Sequence, residues 1–303
     1  MRITSVIFIV ELIAHSDSSS IQGSSGMVVC VGRGMIKKLN SLIFQVRMIW
    51  SSALSIAAVH CDELGTADQW EILKNYDNIS FLDICPRSSP RGGVFGMERN
   101  YSMARLRSFF CKPAALLASP FVETMLVDLD VIWLKKPDVV FSSEDYQRTG
   151  TLFFRDRIIM EHDIYRPSST FQQYLKTFES YVSVEDMKRN SVEILNRKNG
   201  SLFWWSFTRH PLFLGKAVIN CQDSSVVLFH RHKQHQTLRE IRKLLPYFRL
   251  GFGDKEIYWV AATIAKMTFS FERFLCGSYG DCGVIMHFDP SQENRAEPLY
   301  ING

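Results

Sequence analysis

The chain has 303 residues, 46% of them hydrophobic and 13% aromatic, which is enough to bury a large core and excludes a disordered protein. Lys and Arg number 35 against 31 Asp and Glu, so the formal net charge is +4 and no basic stripe of the nucleic-acid-binding kind is present. Twenty-two Phe and six Trp residues favour a dense mixed α/β body over a helical bundle.

The first 25 residues differ in composition from the rest of the chain. Arg2 precedes an apolar stretch, residues 3–14, which is shorter than the roughly 20 residues that a membrane-spanning helix needs. Residues 15–25 are rich in serine and predict a linker. A poor signal sequence or a truncated signal anchor, which would bring the protein to a membrane, fits the apolar stretch, and so does a surface strand or a mispredicted first exon. We therefore predict an N-terminal segment, 1–25, and a single domain, 26–303.

Strand and helix patterns alternate along the first part of this domain. Short apolar runs predict buried strands, and apolar residues at helical spacing predict helices between them. This alternation implies right-handed crossovers and a mostly parallel, twisted sheet flanked by helices. Ligands bind beyond the carboxyl ends of such strands, so Val31 and Gly32, at the end of the first one, are predicted to contact a nucleotide. The predicted elements are strands at 26–32, 54–59 and 79–84, with helices at 39–50 and 69–76.

Asp128 and Asp130 lie between two apolar runs, residues 125–127 and 131–134. Residues two apart on a strand point to one side, so both carboxylates are predicted to face the same way. Paired carboxylates suit a hard divalent cation, Mn²⁺ or Mg²⁺, and leave coordination positions open for phosphate oxygens. Alone the pair is a weak signal, since two acids separated by a single residue occur by chance. Phosphatases of the haloacid dehalogenase type carry a similar pair, but theirs lies near the first strand and is followed by Thr or Gly-Thr. Here about 127 residues precede Asp128, and Val131 and Ile132 follow Asp130, which argues against that class.

Lys112 precedes a predicted helix that Pro113 opens and Pro120 ends. The unpaired N–H groups of a helix N-terminus favour an anion. Lys112 is therefore predicted either to contact a diphosphate or to be a solvated lysine.

Several longer segments resemble one known family. Residues 112–134 read K-P-A-A-L-L-A-S-P-F-V-E-T-M-L-V-D-L-D-V-I-W-L, and residues 150–156 read G-T-L-F-F-R-D. Three further blocks follow in the same order as in that family: Q-D-S-S-V-V at 222–227, G-D-K-E at 253–256, and H-F-D-P at 287–290 with a P-L-Y-I-N-G end. Together they resemble the mannosyltransferase family of fungi and other lower eukaryotes, which includes Golgi α-1,2- and α-1,3-mannosyltransferases that extend mannan.

This resemblance implies a GT-A glycosyltransferase fold and a metal-dependent, retaining transfer of α-mannose. The implied donor is GDP-mannose, with a UDP-sugar as the alternative, and the acceptor is a glycan or glycoprotein. The implied cofactor is Mn²⁺ or Mg²⁺, and the implied location is the Golgi lumen, in protein glycosylation or cell-wall mannan synthesis.

The resemblance also suggests roles for single residues. Asp223 is predicted to lie beside the reacting sugar, where a carboxylate stabilises an oxocarbenium-like state; the alternative is an Asx turn that opens a strand. Asp254 and Glu256 are predicted to hold hydroxyls of donor or acceptor; the alternative is an N-cap and first-turn acid of a helix. His287 is predicted to be the third protein ligand of the metal or a structural histidine.

The chain departs from the family pattern at three positions. Ser225 stands where the family usually has Gly, Leu129 replaces the commoner Ala, and Lys136 changes the L-x-D-P segment. The chain also ends at Gly303, where family members continue. These departures would fit a shortened sequence or an inactive, binding-only relative.

The seven cysteines include no C-x-x-C pair, which argues against a zinc site. Cys276 and Cys282 either close a small loop in an oxidising compartment or stay as two buried thiols. Three sequons, beginning at Asn78, Asn100 and Asn199, are compatible with a secretory route.

Overall fold

The computed structural model describes residues 25–85, 99–156, 222–246, 254–274, 276–279, 284–292 and 295–303. The predicted N-terminal segment, apart from Ser25, therefore lies outside the described residues. The described part is built on two sheets. Strands of the first sheet are β1 Ser25–Cys30, β2 Ser55–His60, β3 Ile79–Asp83, β4 Glu123–Val127, β6 Thr151–Arg155 and β7 Gln222–His230. Strands of the second are β5 Val131–Trp133, β8 Gly277–Tyr279, β9 Val284–Phe288 and β10 Pro298–Asn302.

The first sheet has the strand order β3-β2-β1-β4-β7-β6. The pairings β1–β2, β1–β4 and β2–β3 are parallel, whereas β7 is antiparallel to both β4 and β6. Five of the six strands described for this sheet therefore run in one direction. The prediction of a mixed α/β fold with a mostly parallel sheet is confirmed.

Helices cover this sheet, and alternate residues of its strands enter two separate cores. Val28 belongs to the core that includes the helix after residue 110, whereas Met27 and Val29 belong to the core that includes the first helix. This is the two-residue period of a strand buried on both faces. The helices are α1 Ile36–Phe44, α2 Thr66–Leu73, α3 Arg99–Leu106, α4 Cys111–Ala118, α5 Glu144–Thr149, α6 His235–Leu244 and α7 Ile257–Ile264.

The predicted elements correspond closely to these strands and helices. The helix predicted at 39–50 is α1 continued by a π-helical segment, Gln45–Ile49, and the helix at 69–76 is α2, which begins earlier, at Thr66. Helix α4 ends at Ala118 because Ser119, the residue before Pro120, is forced into an extended conformation with ψ 133°.

One local prediction is wrong. The paired acids do not lie on one continuous strand: β4 ends at Val127, and β5, which begins at Val131, belongs to the second sheet. The N–H of Val131 donates to the carbonyl oxygen of Asp128 at 3.3 Å, which closes a turn around the two acids. Asp128 and Asp130 therefore lie at the point where the chain passes from one sheet to the other.

The second sheet is antiparallel, with the order β5-β10-β9-β8. Trp133 of β5 and Tyr300 of β10 pack together, with ring centroids 5.4 Å apart, and both are buried in the core that contains Met27. The ring of His287, on β9, lies 4.7 Å from the ring of Tyr300. The second sheet thereby brings His287 against the first sheet.

A disulfide joins the loops that follow two neighbouring parallel strands. Cys61 comes directly after β2, Cys85 comes shortly after β3, and the two are 24 residues apart in sequence. The spacing of the cysteines in the sequence did not predict this pair. The predicted bond between Cys276 and Cys282 stays a prediction, since Cys282 lies outside the described residues.

Removing this disulfide is expected to destabilise the protein. Replacing both Cys61 and Cys85 with serine should lower the free energy of unfolding by about 3 kcal/mol, because a cross-link over a loop of this length restricts the unfolded chain. Urea unfolding of the double variant against the oxidised wild type measures the effect. Addition of reductant should bring the wild type to the midpoint of the variant; equal midpoints for all three samples would contradict the assignment.

Candidate active site

Acidic residues gather at one edge of the first sheet, which we call the site edge. It consists of the residues that follow the carboxyl ends of β1, β4 and β6, together with the first residues of the antiparallel β7. The residues of this edge are Val31 and Gly32 after β1, Asp128 and Asp130 after β4, Asp156 after β6, and Gln222, Asp223 and Ser224 at the start of β7.

The ammonium of Lys112 joins two parts of the site edge to Asp254, which precedes α7. Its Nζ lies 3.0 Å from both carboxylate oxygens of Asp128 and 3.4 Å from Oδ1 of Asp254. It also donates to Ser224, at 2.8 Å to the hydroxyl and 3.1 Å to the carbonyl oxygen. Burial alone lowers the pKa of Lys112, but the carboxylates of Asp128 and Asp254 outweigh it, so the pKa is raised and the lysine stays charged.

This geometry changes the role expected of Lys112. Its side chain is 8% exposed, and its three N–H groups are shared among protein oxygens, so no donor is left for a diphosphate. It is neither the solvated lysine nor the diphosphate ligand that the sequence predicts. Lys112 instead joins two carboxylates that would otherwise repel each other.

Replacing Lys112 with methionine is expected to destabilise the fold by about 3–5 kcal/mol, because the change leaves the buried Asp254, and with it the half-buried Asp128, without a counter-charge. Urea unfolding at pH 7 measures the difference. Lys243→Met on the exposed face of α6 is the matched control and should shift stability by less than about 0.5 kcal/mol. A loss as small as the control's would show that the Lys112 contacts contribute little.

Asp254 and Glu256 lie in the turn before α7. The alternative that Asp254 is an N-cap is wrong, because Glu256 occupies that position and Asp254 faces Lys112. The hydroxyl of Tyr258 donates to Oδ2 of Asp254 at 2.7 Å. The buried carboxylate of Glu256 accepts a hydrogen bond from the indole nitrogen of Trp259 within the same helix. Asp254 therefore lies with Asp128 and Ser224 around the ammonium of Lys112, whereas the contact of Glu256 with Trp259 is structural. That either residue binds hydroxyls of the donor or acceptor stays a prediction.

Asp223 and His287 form a second buried group, on the other side of β7. The Nε2 of His287 lies 2.7 Å from Oδ2 of Asp223. Ser225 donates to Asp223 twice, from its backbone N–H at 3.0 Å and from its hydroxyl at 2.9 Å. Burial alone raises the pKa of Asp223, but the hydrogen bond and charge of His287, with the charge of Lys255 and the Ser225 bond, hold it well below its usual range. Asp223 is a fixed, ionised carboxylate.

Both interpretations of Asp223 draw support from these contacts. Its bond from the Ser225 N–H is the Asx-type contact that the turn hypothesis predicts, although β7 already begins at Gln222. Its permanent negative charge is what a developing positive charge on a sugar would need.

The two acids of the turn differ in their availability to a metal ion. Asp128 is occupied by Lys112, whereas Asp130 is exposed and has no ion pair or hydrogen bond within the described residues. Burial and the carboxylates of Asp254 and Asp130 raise the pKa of Asp128, although Lys112 opposes this. Oxygen ligands in a carboxylate-rich site fit a hard divalent cation.

His287 is not shown to be the third ligand of such an ion. Among the described residues no group of three or more His, Cys, Asp or Glu side chains is arranged to hold a metal. The Nε2 of His287 is committed to Asp223, so a metal role for His287 stays a prediction that this contact does not favour.

The loop after β1 contributes backbone to the site edge. The N–H of Val31 donates to the carbonyl oxygen of Val59 at 2.8 Å and so is not available to a ligand. A Cβ added to the half-buried Gly32 would lie 3.3 Å from Oε1 of Glu63. Gly32 therefore leaves space at the loop, and nucleotide binding by these two residues stays a prediction.

One pair at the site edge was missed by the sequence reasoning. The Nζ of Lys255 donates to Oδ2 of the buried Asp156 at 2.5 Å. Both residues lie in blocks that carry the family resemblance, and Asp156 directly follows a strand, as Asp128 does. Looking for acids after each strand would have found it.

Comparisons with known proteins agree with the resemblance. Residues 24–292 match the model of a family described as “Mannosyltransferase putative”. The chain is 25% identical over 225 residues to α-1,3-mannosyltransferase MNN1 of Saccharomyces cerevisiae, covering 68% of this chain and 27% of that protein. It is 26% identical over 188 residues to α-1,3-mannosyltransferase MNT3 of the same yeast, covering 57% and 28%. The chain spans less than half the length of the curated relatives it matches.

Similar solved structures include core-mannan synthase A (CmsA/Ktr4) of Aspergillus fumigatus in its Mn/GDP form. That comparison covers 91% of this chain and 78% of the other, with a TM-score of 0.47 and 11% identity. The mannosyltransferase Ktr4p of S. cerevisiae in complex with GDP gives a TM-score of 0.43 at 12% identity, covering 82% and 67%. These likenesses are too remote to assign an activity.

Proposed function

The chain belongs to this mannosyltransferase family, and on that premise we propose that it is a metal-dependent, retaining glycosyltransferase that transfers α-mannose from GDP-mannose. The acceptor is a glycan or glycoprotein. The observation that carries the proposal is the position of the family's paired acids: Asp128 and Asp130 lie at the carboxyl end of β4, beside the start of β7, where a parallel α/β sheet binds its ligand.

The residues of the site edge fit a divalent cation, Mn²⁺ or Mg²⁺. Asp130 and Asp128 would hold it, with Asp130 offering the uncommitted carboxylate. When bound, the cation supplies positive charge for the diphosphate of the donor. Lys112 keeps Asp128 in place from the buried side, so the carboxylate does not need to reorganise when the donor arrives.

Asp223 supplies the fixed negative charge near the reacting sugar. As the bond between the anomeric carbon and the phosphate oxygen lengthens, positive charge builds on the sugar ring, and an ionised carboxylate held by Ser225 and His287 stabilises it. Ser225, where the family usually has Gly, contributes its hydroxyl to this arrangement.

Donor binding tests the proposal directly. GDP-mannose is expected to raise the melting temperature when Mn²⁺ or Mg²⁺ is present and to do so much less with EDTA, because a ligand of the native state stabilises it by mass action. A thermal-shift panel of nucleotide sugars measures this. Stabilisation by a UDP-sugar alone would replace the donor while keeping the glycosyltransferase assignment. Donor binding without sugar transfer to any acceptor and without hydrolysis of the donor would indicate a binding-only relative.

We also propose a Golgi-lumenal location. The disulfide between Cys61 and Cys85 is typical of an oxidising compartment, and Asn78 of the first sequon is exposed just before β3. Within the described residues, no helix combines the length and the apolar character needed to cross a bilayer. We propose that any membrane association runs through the N-terminal segment, 1–25.

A further inference from the structure

Two lysines that contact the site edge differ in the hydrogen bonds that their ammonium groups can still make. Lys112 is 8% exposed and shares its N–H groups among Asp128, Asp254 and Ser224. The side chain of Lys255 is 23% exposed, and in the described part of the chain its Nζ has a single hydrogen-bond partner, Asp156. Because an ammonium has three N–H donors, Lys255 keeps donors for a ligand.

Lys255 is also held where a ligand would react. Asp156, which anchors its ammonium, is buried directly after β6, next to the start of β7. The charge of Lys255 helps to keep the pKa of Asp223 low, so the ammonium lies within electrostatic reach of that carboxylate. A partly exposed cation that is anchored by Asp156, near the start of β7, suits an anion that carries the reacting sugar.

We propose that Lys255 donates hydrogen bonds to the diphosphate of the nucleotide-sugar donor and that Asp156 positions its ammonium. This inference rests on the proposed function and names a contact within that site. In the transfer, the bond from the anomeric carbon to the phosphate oxygen breaks, and its electron pair stays on the diphosphate. The bond from the anomeric carbon to the acceptor oxygen forms, and the leaving diphosphate takes up the acceptor's hydroxyl proton. Lys255 meets the negative charge that grows on the diphosphate.

Calorimetric titration of the full chain in Mn²⁺ with GDP, inorganic pyrophosphate and GMP tests the contact. Lys255→Met should weaken binding of GDP and pyrophosphate by about 10- to 100-fold, the range for a hydrogen bond to a charged group. GMP, which lacks the second phosphate, should lose less than about threefold by the same reasoning. Lys243→Met, an exposed lysine on α6, should leave all three affinities unchanged.

A second variant tests whether Lys255 binds the diphosphate itself or only neutralises the buried carboxylate of Asp156. Lys255→Met combined with Asp156→Asn removes both charges and leaves no unpaired buried carboxylate, so it also serves if the single variant folds poorly. A double variant that still binds GDP weakly supports the contact; one with wild-type affinity overturns it. Unchanged GDP affinity in Lys255→Met overturns this inference alone, whereas a wild type that binds no diphosphate overturns the proposed function with it.

Discussion

Replacing Asp130 with asparagine is expected to lower the rate of sugar transfer by at least about 100-fold while leaving stability unchanged. Asn keeps the shape of the side chain but removes the charge that a divalent cation needs. Asp130 is exposed in the turn between β4 and β5 and makes no ion pair or hydrogen bond in the described part of the chain, so the fold loses nothing. Steady-state rates across a Mn²⁺ titration, with melting temperatures for both proteins, measure the two effects.

A matched control is Asp77→Asn, which makes the same chemical change at an exposed position before β3. It should alter neither rate nor melting temperature. The comparison with Asp128→Asn is also informative, because Asp128 is paired with Lys112 and its loss should lower stability as well as rate. An Asp130→Asn protein with a wild-type, Mn²⁺-dependent rate would show that the turn does not bind the metal.

Local patterns predicted the sheet because each strand here is a short apolar run with its own boundary. The helix stopped by Pro120 is an example in which one residue type determines where an element ends. The turn at Asp128 could not be predicted in this way. Residues on both sides of it are apolar and strand-forming, and only their assignment to two different sheets interrupts the strand.

Long-range contacts account for the rest of what the sequence did not show. Lys112 was placed correctly at the start of a helix, but its partner Asp254 is distant in sequence, just before the last helix described. A helix N-terminus predicts an anion near it and cannot say whether that anion is a ligand or a protein carboxylate. The pairing of Asp223 with His287, which lies on the second sheet, likewise joins residues that are far apart in sequence. Pair formation across sheets depends on tertiary packing, which single-residue patterns do not encode.

The largest effect expected on the chemical step itself is that of Asp223→Asn. If the carboxylate stabilises positive charge on the sugar, the substitution should raise the transition-state barrier by several kcal/mol, on the order of a 100-fold or greater loss in kcat, with little change in donor Kd. The same change also alters the contact with Nε2 of His287 and two hydrogen bonds from Ser225, so a loss of stability is expected with it. Rates must therefore be compared for the folded fraction, below the melting temperature of the variant.

Ser225→Ala separates the charge from its supporting contacts. It removes the hydroxyl bond to Asp223 but keeps the carboxylate, the backbone bond and the bond to His287. If Asp223 acts only on the fold, both variants should lower stability and leave kcat near the wild-type value, since Asn also forms an Asx turn. If it acts on the sugar, Asp223→Asn should lose most of kcat, whereas Ser225→Ala should lose only the part that one hydrogen bond contributes, about tenfold or less. Equal kcat values for the wild type and Asp223→Asn would assign this carboxylate to the fold, because a transition state that carries positive charge cannot be indifferent to the removal of a fixed negative charge beside it.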